Sequence, residues 1–369
     1  MNVADDASSK RFSPHRESSG QAIKARKPLI SVCIPAYNRA RHLPALLDSI
    51  FAQEFDDFDV VICEDRSPER AQIAEIVQHY SEAHPDSIRY SENETNLGYD
   101  GNIRRLVEKA GGEFCFFMGN DDIMCPGALV ATADIIRRHP DVGFILRSYA
   151  WFDYTPENVN QEIRYFNEEH RFEAGPKAIA LCYRRSGVIS GYIVRRDPAL
   201  AAATNAHDGT LYYQMHLTAN VLANAPAVFT PKVFVLCRNG EPPEFGNSSK
   251  EKGKYVPGGY TPQARLNMVG GSLSIIRHFK LTSGIDLVRD IQRDYANYFY
   301  VYIKDQLNLP FHEFFSLYWS YGQMGFFRYP MFHAYCLIAY ILGEKKFDLI
   351  TKAIRERLGR SPQFGLAGK

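Results

Sequence analysis

The chain of 369 residues reads as an α/β protein: a mostly parallel sheet with helices on both faces, followed by a C-terminal helical region. Three observations predict this. Between Leu29 and Arg147, near-continuous apolar runs alternate with segments whose apolar residues fall at helical spacing, the pattern of a sheet covered on both sides. Three of the apolar runs stop at unusual polar clusters, as strands do where a parallel sheet presents its carboxyl edge. Residues 263–369 lack that alternation and are dense in aromatics, above all over 311–343.

The elements follow in order. LISVCI (29–34) is a buried strand, and Leu43, Leu46, Leu47, Ile50 and Phe51 mark the helix after it. FDVVIC (58–63) is a second strand, followed by a helix carrying Ile73, Ile76, Val77 and Tyr80. SIRY (87–90) is a short third strand; Ile103, Leu106, Val107 and Ala110 mark the next helix. FCFFM (114–118) is the fourth strand, a helix spans 127–139, and VGFILR (142–147) closes the series. Further on, 187–196 reads as another strand, 208–224 as a helix and 227–238 as a short β segment. The stretch 241–262, rich in Gly, Pro, Lys and Ser, reads as a flexible loop or linker that either closes over a ligand or simply connects.

Composition narrows the function. With 45% hydrophobic and 23% charged residues the chain is ordinary for a globular protein. A formal net charge of +1 gives no electrostatic case for nucleic acid. Seven cysteines contain no Cys-x-x-Cys pair, so neither a disulfide framework nor a zinc site is expected, which favours a reducing cytoplasm. Residues 1–27 carry six Lys/Arg against three acids and no apolar core; they read as a disordered basic tail rather than a secretory signal. No run of about 18 apolar residues exists, so no spanning helix is expected.

Three strand ends carry the chemistry: Pro35-Ala36-Tyr37-Asn38-Arg39, Glu64-Asp65-Arg66-Ser67 and Gly119-Asn120-Asp121-Asp122. Adjacent carboxylates at the mouth of a buried strand are costly unless something binds them. Hard divalent cations take oxygen ligands, and Mg²⁺ is typically held by one or two carboxylates plus substrate phosphates. The acidic pair therefore points to a metal–diphosphate site, against the plainer reading in which Asp122 caps the next helix and Asp121 sits in a solvated turn. The chain has neither a G-x-x-x-x-G-K-[ST] loop nor a G-x-G-x-x-G after the first strand, which leaves a cation to hold the diphosphate.

The ordered set SVCIPAYNRARHLPALLDSIFAQ (31–53), VVICEDRSPE (60–69) and NLGYDGNIRRLVEKAGGEFCFFMGNDD (96–122) resembles family-two glycosyltransferases with the Rossmann-like GT-A fold, in particular abequosyltransferase-like members of the bacterial polysaccharide type. The resemblance covers about 28–240. It implies an inverting glycosyltransferase that moves a hexosyl or deoxyhexosyl group from a nucleoside-diphosphate sugar, UDP or dTDP favoured, to a glycan or lipid-linked saccharide acceptor. It also implies that Mn²⁺ or Mg²⁺ is held by Asp121 and Asp122. Pro35, Ala36, Tyr37, Asn38 and Arg39 would wrap the nucleotide, with Asp65 on the base and Asn96, Gly98, Asn102 and Asn120 close by. Asn93 is taken as a turn residue. Asp208 occupies the place of the family's acidic base, with His207 or Tyr213 on the acceptor side; by helix pattern alone Asp208 would be an N-cap. Gly119 stands where many relatives carry a further Asp, and Arg66 where they carry Gly. Arg104 and Arg105 read as a solvated helix face or as phosphate contacts. The aromatic C-terminal region reads first as a packed helical subdomain, then as a peripheral contact with the cytoplasmic face of the inner membrane, then as an oligomer interface. Two rivals stand beside the transferase: a sugar-1-phosphate nucleotidyltransferase, and a non-catalytic sugar-nucleotide or glycan-binding member of the fold.

Overall fold

The computed structural model describes residues 27–358. Apart from Lys27, the expected basic tail over 1–27 lies outside the described residues, as does the end of the 263–369 region. The chain runs β1 (Ile30–Ala36), α1 (Leu43–Phe51), β2 (Phe58–Glu64), α2 (Arg70–Ala83), β3 (Ile88–Glu92), α3 (Gly98–Lys109), β4 (Phe114–Phe117), β5 (Ile123–Met124), α4 (Ala128–Arg138) and β6 (Phe144–Phe152). It continues through β7 (Val159–Ile163), β8 (His170–Phe172), α5 (Pro176–Arg185), β9 (Tyr192–Arg195), α6 (Arg196–Ala201), α7 (Tyr213–Leu222) and β10 (Ala227–Arg238). Helices α8 (Pro262–Ser283), α9 (Val288–Asn297), α10 (Phe311–Gln323), α11 (Pro330–Leu342) and α12 (Glu344–Leu358) follow.

The main sheet has the order β3-β2-β1-β4-β9-β6-β10-β5. Its first four strands are parallel, and their apolar runs are buried as the pattern requires: Ile30, Val32, Ile34, Val60, Ile62, Phe114, Phe116 and Phe117 are all inaccessible to solvent. Burying each such side chain contributes roughly 1.5–3 kcal/mol. Beyond β4 the sheet becomes mixed. β9 inserts between β4 and β6 and runs antiparallel to both, so the fifth run does not extend the parallel series directly. β10 is not a short segment but a 12-residue strand along β6. Chain distance conceals such pairing, because a strand's neighbour is set by the sheet's topology rather than by its place in the sequence.

This topology creates the site. β1 pairs with β2 through Ala36, but with β4 only as far as Cys33. The connection after β1 leads to β2 on one side, while that from β3 crosses to β4 on the other. The loops after β1 and β4 therefore diverge and leave a crevice at the carboxyl edge, where ligands of open α/β sheets bind.

Helix α7 begins at Tyr213, five residues later than the pattern of 208–224 indicates. The reason is Asp100 on α3: its carboxylate accepts from the N–H groups of Thr210 (2.8 Å), Leu211 (2.9 Å) and Tyr213 (2.9 Å) and shapes 208–212 as a turn. Burial pushes the Asp100 carboxyl up to about 6, and the three N–H bonds partly offset it. Asp100→Ala would leave these donors unpaired, and urea unfolding should show a loss of about 2–4 kcal/mol. A loss below about 0.5 kcal/mol would mean that water replaces the carboxylate.

The C-terminal helices are fastened to the sheet layer through buried polar groups. Asp294 of α9, wholly buried, accepts from Arg184 Nε (2.6 Å) and Arg185 Nη1 (3.2 Å) of α5. Tyr183 Oη donates to the Ser272 carbonyl at 2.7 Å, and Tyr295 Oη to Ser272 Oγ at 2.6 Å. Among the described residues no helix is long and apolar enough to cross a membrane.

Candidate active site

Three of the strand-end residues sit in the left-handed region: Asn38 (φ 52°), Arg39 (φ 61°) and Arg66 (φ 57°). Such backbone costs roughly 1–2 kcal/mol per non-glycine residue, and it persists here because surrounding bonds impose it. Glu64, buried, accepts from the N–H groups of Arg66 and Ser67, each at 2.8 Å, and so holds the turn in which Arg66 replaces glycine.

Asp65 is buried and anchored by the fold. It accepts from Asn93 Nδ2, Leu97 N and Gly98 N, each at 2.8 Å. Burial pushes its carboxyl up to about 6 against these donors. A carboxylate has about four acceptor positions, and these donors take three of them. Asn93 is no mere turn residue: buried, it bridges Asp65 and Asn102 Oδ1 (3.1 Å), while Asn102 Nδ2 donates to the Cys63 carbonyl at 3.0 Å. Asn96 Oδ1 accepts from Gly98 N at 2.9 Å and starts α3. Gly98 has φ 79°, and a Cβ there would stand 2.5 Å from Ser248 Oγ and 2.7 Å from Glu251 Oε1. The N-terminus of α3 is thus pinned between β2 and the segment 248–251.

At the end of β4, Asn120, Asp121 and Asp122 are 6%, 8% and 8% exposed. Asn120 Nδ2 donates to the Asn38 carbonyl at 2.7 Å, joining the loops after β1 and β4 across the crevice. Asp121 Oδ2 takes the guanidinium of Arg39 at 2.7 Å. Asp122 accepts from Arg238 N at 2.7 Å and, through Oδ2, from Ser190 Oγ. Burial, and then the neighbouring Asp121, push the Asp122 carboxyl up to about 7. One arginine thus faces two crowded carboxylates. Gly119 fits because space is short: a Cβ there would meet Asp122 Oδ2 at 3.0 Å and Asp121 Oδ1 at 3.4 Å.

The segment 241–262 is tied to this rim. Asn38 Nδ2 donates to Glu244 Oε2 at 3.0 Å, and Arg39 Nη2 to the Pro242 carbonyl at 2.6 Å. Glu241 takes Arg41 at 2.7 Å and His42 at 3.1 Å. Farther along, buried Glu251 accepts from Tyr99 N (2.8 Å) and Gly246 N (2.9 Å). Tyr255 Oη then donates to the Gly209 carbonyl at 3.3 Å. One segment therefore spans from the Arg39–Asp121 pair to the loop that carries Asp208.

Asp208 is not a helix cap. Its Oδ2 accepts from Arg104 Nη2 at 3.1 Å and its Oδ1 from Nη1, a bidentate pair. Arg104 accordingly is no solvated face residue, whereas Arg105 pairs along the helix with Glu108 at 2.9 Å. His207 and Tyr213, expected on the acceptor side, are both buried beside this loop. His207 is 3% exposed, its ring 4.6 Å from that of His216 and 5.0 Å from that of His278, and burial pushes it down to about 4. Tyr213 is 1% exposed and accepts from Thr204 N at 3.2 Å. Both serve packing. Pattern reading also passed over Asp100, Glu251 and Ser190; the bonds of Asp100 to Thr210 N and of Glu251 to Tyr99 N carry no local signal because they span over a hundred residues of chain.

Comparison with known proteins accords with this architecture. Residues 31–195 match the model of Glycosyl transferase family 2. An abequosyltransferase of Salmonella typhimurium is 27% identical over 241 residues, 61% of this chain and 70% of the relative. A GalNAc(5)-diNAcBac-PP-undecaprenol beta-1,3-glucosyltransferase of Campylobacter jejuni is 32% identical over 103 residues, 28% of this chain and 32% of the relative. Among solved structures, residues 1–349 of S. aureus TarS in complex with UDP-GlcNAc superpose with a TM-score of 0.57 at 19% identity, covering 91% of this chain and 93% of that one; the shared fold is GT-A. With the ordered motifs on the crevice and the family match across β1 to β9, residues 31–195 carry a glycosyltransferase family 2 domain, and the chain is a glycosyltransferase.

Proposed function

We propose that the protein transfers a sugar, with inversion, from a nucleoside-diphosphate sugar to a hydroxyl of a glycan or lipid-linked saccharide during bacterial surface polysaccharide synthesis, at the cytoplasmic face of the inner membrane. The acceptor class draws on the names of the abequosyltransferase and undecaprenol-linked glucosyltransferase relatives. The observation that carries the reading is the buried pair Asp121–Asp122, two carboxylates matched by one arginine.

The pair fits Mg²⁺ or Mn²⁺. It offers only oxygen ligands, and the elevated Asp122 carboxyl marks negative charge that a second cation would relieve. Among the described residues no cluster of three or more Asp, Glu, His or Cys side chains could hold a metal ion by itself, so donor phosphates would complete the shell. When bound, the ion supplies Lewis-acid stabilisation of the departing diphosphate.

The chain's own residues do the rest. The loop Pro35–Arg39 lines the crevice, with Arg39 free to pass from Asp121 to phosphate oxygens. Asp65 keeps one acceptor position for an imide N–H, which favours UDP or dTDP. Asn96, Gly98 and Asn102 set the frame that aims it. The segment 241–260 covers the crevice and excludes water from the donor. Asp208 takes the proton of the attacking hydroxyl, and Arg104 orients it. A thermal-shift screen of nucleoside diphosphates tests the reading: UDP or dTDP should raise the unfolding temperature only with Mn²⁺ or Mg²⁺ present. Equal stabilisation in excess chelator would remove the cation from the proposal.

A further inference from the structure

An open cavity of about 390 Å³ lies on the C-terminal helices, lined by Arg277 and Lys280 of α8, Arg289 and Gln292 of α9, and Arg328 of the turn before α11. The acid at its edge, Asp286, is already engaged by Lys280 at 2.7 Å, and the next along α9, Asp290, pairs with Arg293 at 3.7 Å. Arg277, Arg289 and Arg328 form no ion pair among the described residues. Asp286 feels Arg289 as well as Lys280, yet in a chain of net charge +1 three guanidinium groups and one ammonium around one concavity with a single lining carboxylate are a local positive field at a repulsive cost.

Their framework is rigid. Gln292 Nε2, on a buried side chain, donates to the Met324 carbonyl at 2.7 Å, and Tyr329 Oη donates to the Arg289 carbonyl at 2.9 Å. Both bonds clamp the turn bearing Arg328 onto α9. That turn needs Gly325, at φ 108°, because a Cβ there would stand 2.4 Å from Gln292 Nε2. The clamp holds the segments bearing Arg289 and Arg328 together, and both side chains line the one cavity.

We propose that this cavity binds the phosphate of a phosphate ester, with the guanidinium forks of Arg277, Arg289 and Arg328 as donors. Planar forks match phosphate oxygens in pairs, and charge-assisted bonds of this kind are the strong ones. The same chemistry comes from a lipid headgroup or from a soluble phosphate. The lipid source has a structural counterpart. The exposed rings of Phe311, Phe315 and Trp319 form a ridge with successive centroid distances of 5.9 and 6.3 Å, and Trp319 lies 5.1 Å from Phe327, next to Arg328.

The full chain and an Arg289→Gln/Arg328→Gln variant are to be titrated with inorganic phosphate by calorimetry, and floated with phosphatidylcholine vesicles with or without phosphatidylglycerol. Neither arginine holds an ion pair, so the unfolding midpoint should not move. The wild type should bind phosphate or the anionic vesicles, and the variant should lose about tenfold or more, the loss expected when a charge-assisted bond disappears. Binding to phosphatidylglycerol vesicles alone identifies a headgroup; binding to inorganic phosphate as well identifies a soluble phosphate. The proposal is overturned if the wild type binds neither probe, if neutral and anionic vesicles bind alike without phosphate binding, or if the variant binds as the wild type does. The cavity stands apart from the Asp121–Asp122 rim, so either result leaves the transfer reading intact.

Discussion

Asp122→Asn should lower kcat for sugar transfer on the order of 10²–10³-fold, the effect typical of removing one preorganised group that stabilises charge in the transition state. Asp121→Ala should fall in the same range and in addition release Arg39, which now spans Asp121 and the Pro242 carbonyl. Neither change should unfold the protein, because both side chains face the crevice rather than the apolar core. The pH dependence of stability separates this pair from an ordinary structural carboxylate. The folded carboxyl of Asp122 lies at about 7, above its unfolded value near 4. Its contribution to stability is therefore complete below about pH 4 and is lost as pH rises through about 7. The metal-free wild type should lose stability over that window, and Asp122→Asn should lose less. Adding Mn²⁺ with nucleotide at pH 8 should restore the wild type and leave the variant unmoved, because binding to the folded state alone stabilises it. Chemical denaturation at pH 5 and pH 8 checks this. A variant that still binds UDP and Mn²⁺ as the wild type does would remove the pair from the site.

Asp208→Asn should abolish transfer by on the order of 10²–10⁴-fold while leaving donor binding intact, the range associated with a positioned general base. Its bidentate partner Arg104 sharpens the expectation. A bidentate guanidinium fixes the carboxylate's orientation. Arg104→Lys should keep the charge but lose the fork, so a base held by Arg104 predicts a fall in kcat with donor KM unchanged and an altered pH–rate profile. If Asp208 only anchors Arg104, both variants lower stability and neither changes kcat per folded molecule. Measuring kcat, donor KM and the unfolding midpoint together distinguishes the two roles.

Much of the fold was legible because its signals are local. The apolar runs at Leu29, Phe58 and Phe114 and the helical stripes between them become β1, β2 and β4 with their covering helices. Where the runs end in polar clusters, the carboxyl edge of the sheet indeed lies. The mixed half was less legible: whether 187–196 joins the sheet beside β4 or elsewhere depends on backbone pairing that leaves no periodicity in the chain. His207 and Tyr213 show the same limit. Their neighbourhood in sequence with Asp208 points to the acceptor side, but α7, α8 and α3 enclose them.

By itself, then, the sequence determined the α/β class, the positions of the first parallel strands along the chain and the placement of Asp65, Asn120, Asp121 and Asp122 at strand ends, because hydrophobic period and strand termination are properties of short stretches. Only the tertiary structure decided what those groups face. Arg39 on Asp121, Arg104 on Asp208, Asp100 under 210–213 and Glu251 on Tyr99 all join residues more than 80 positions apart. Pairing of buried charges is settled by proximity in space, and proximity arises only when the sheet closes and the segment 241–262 lies across it.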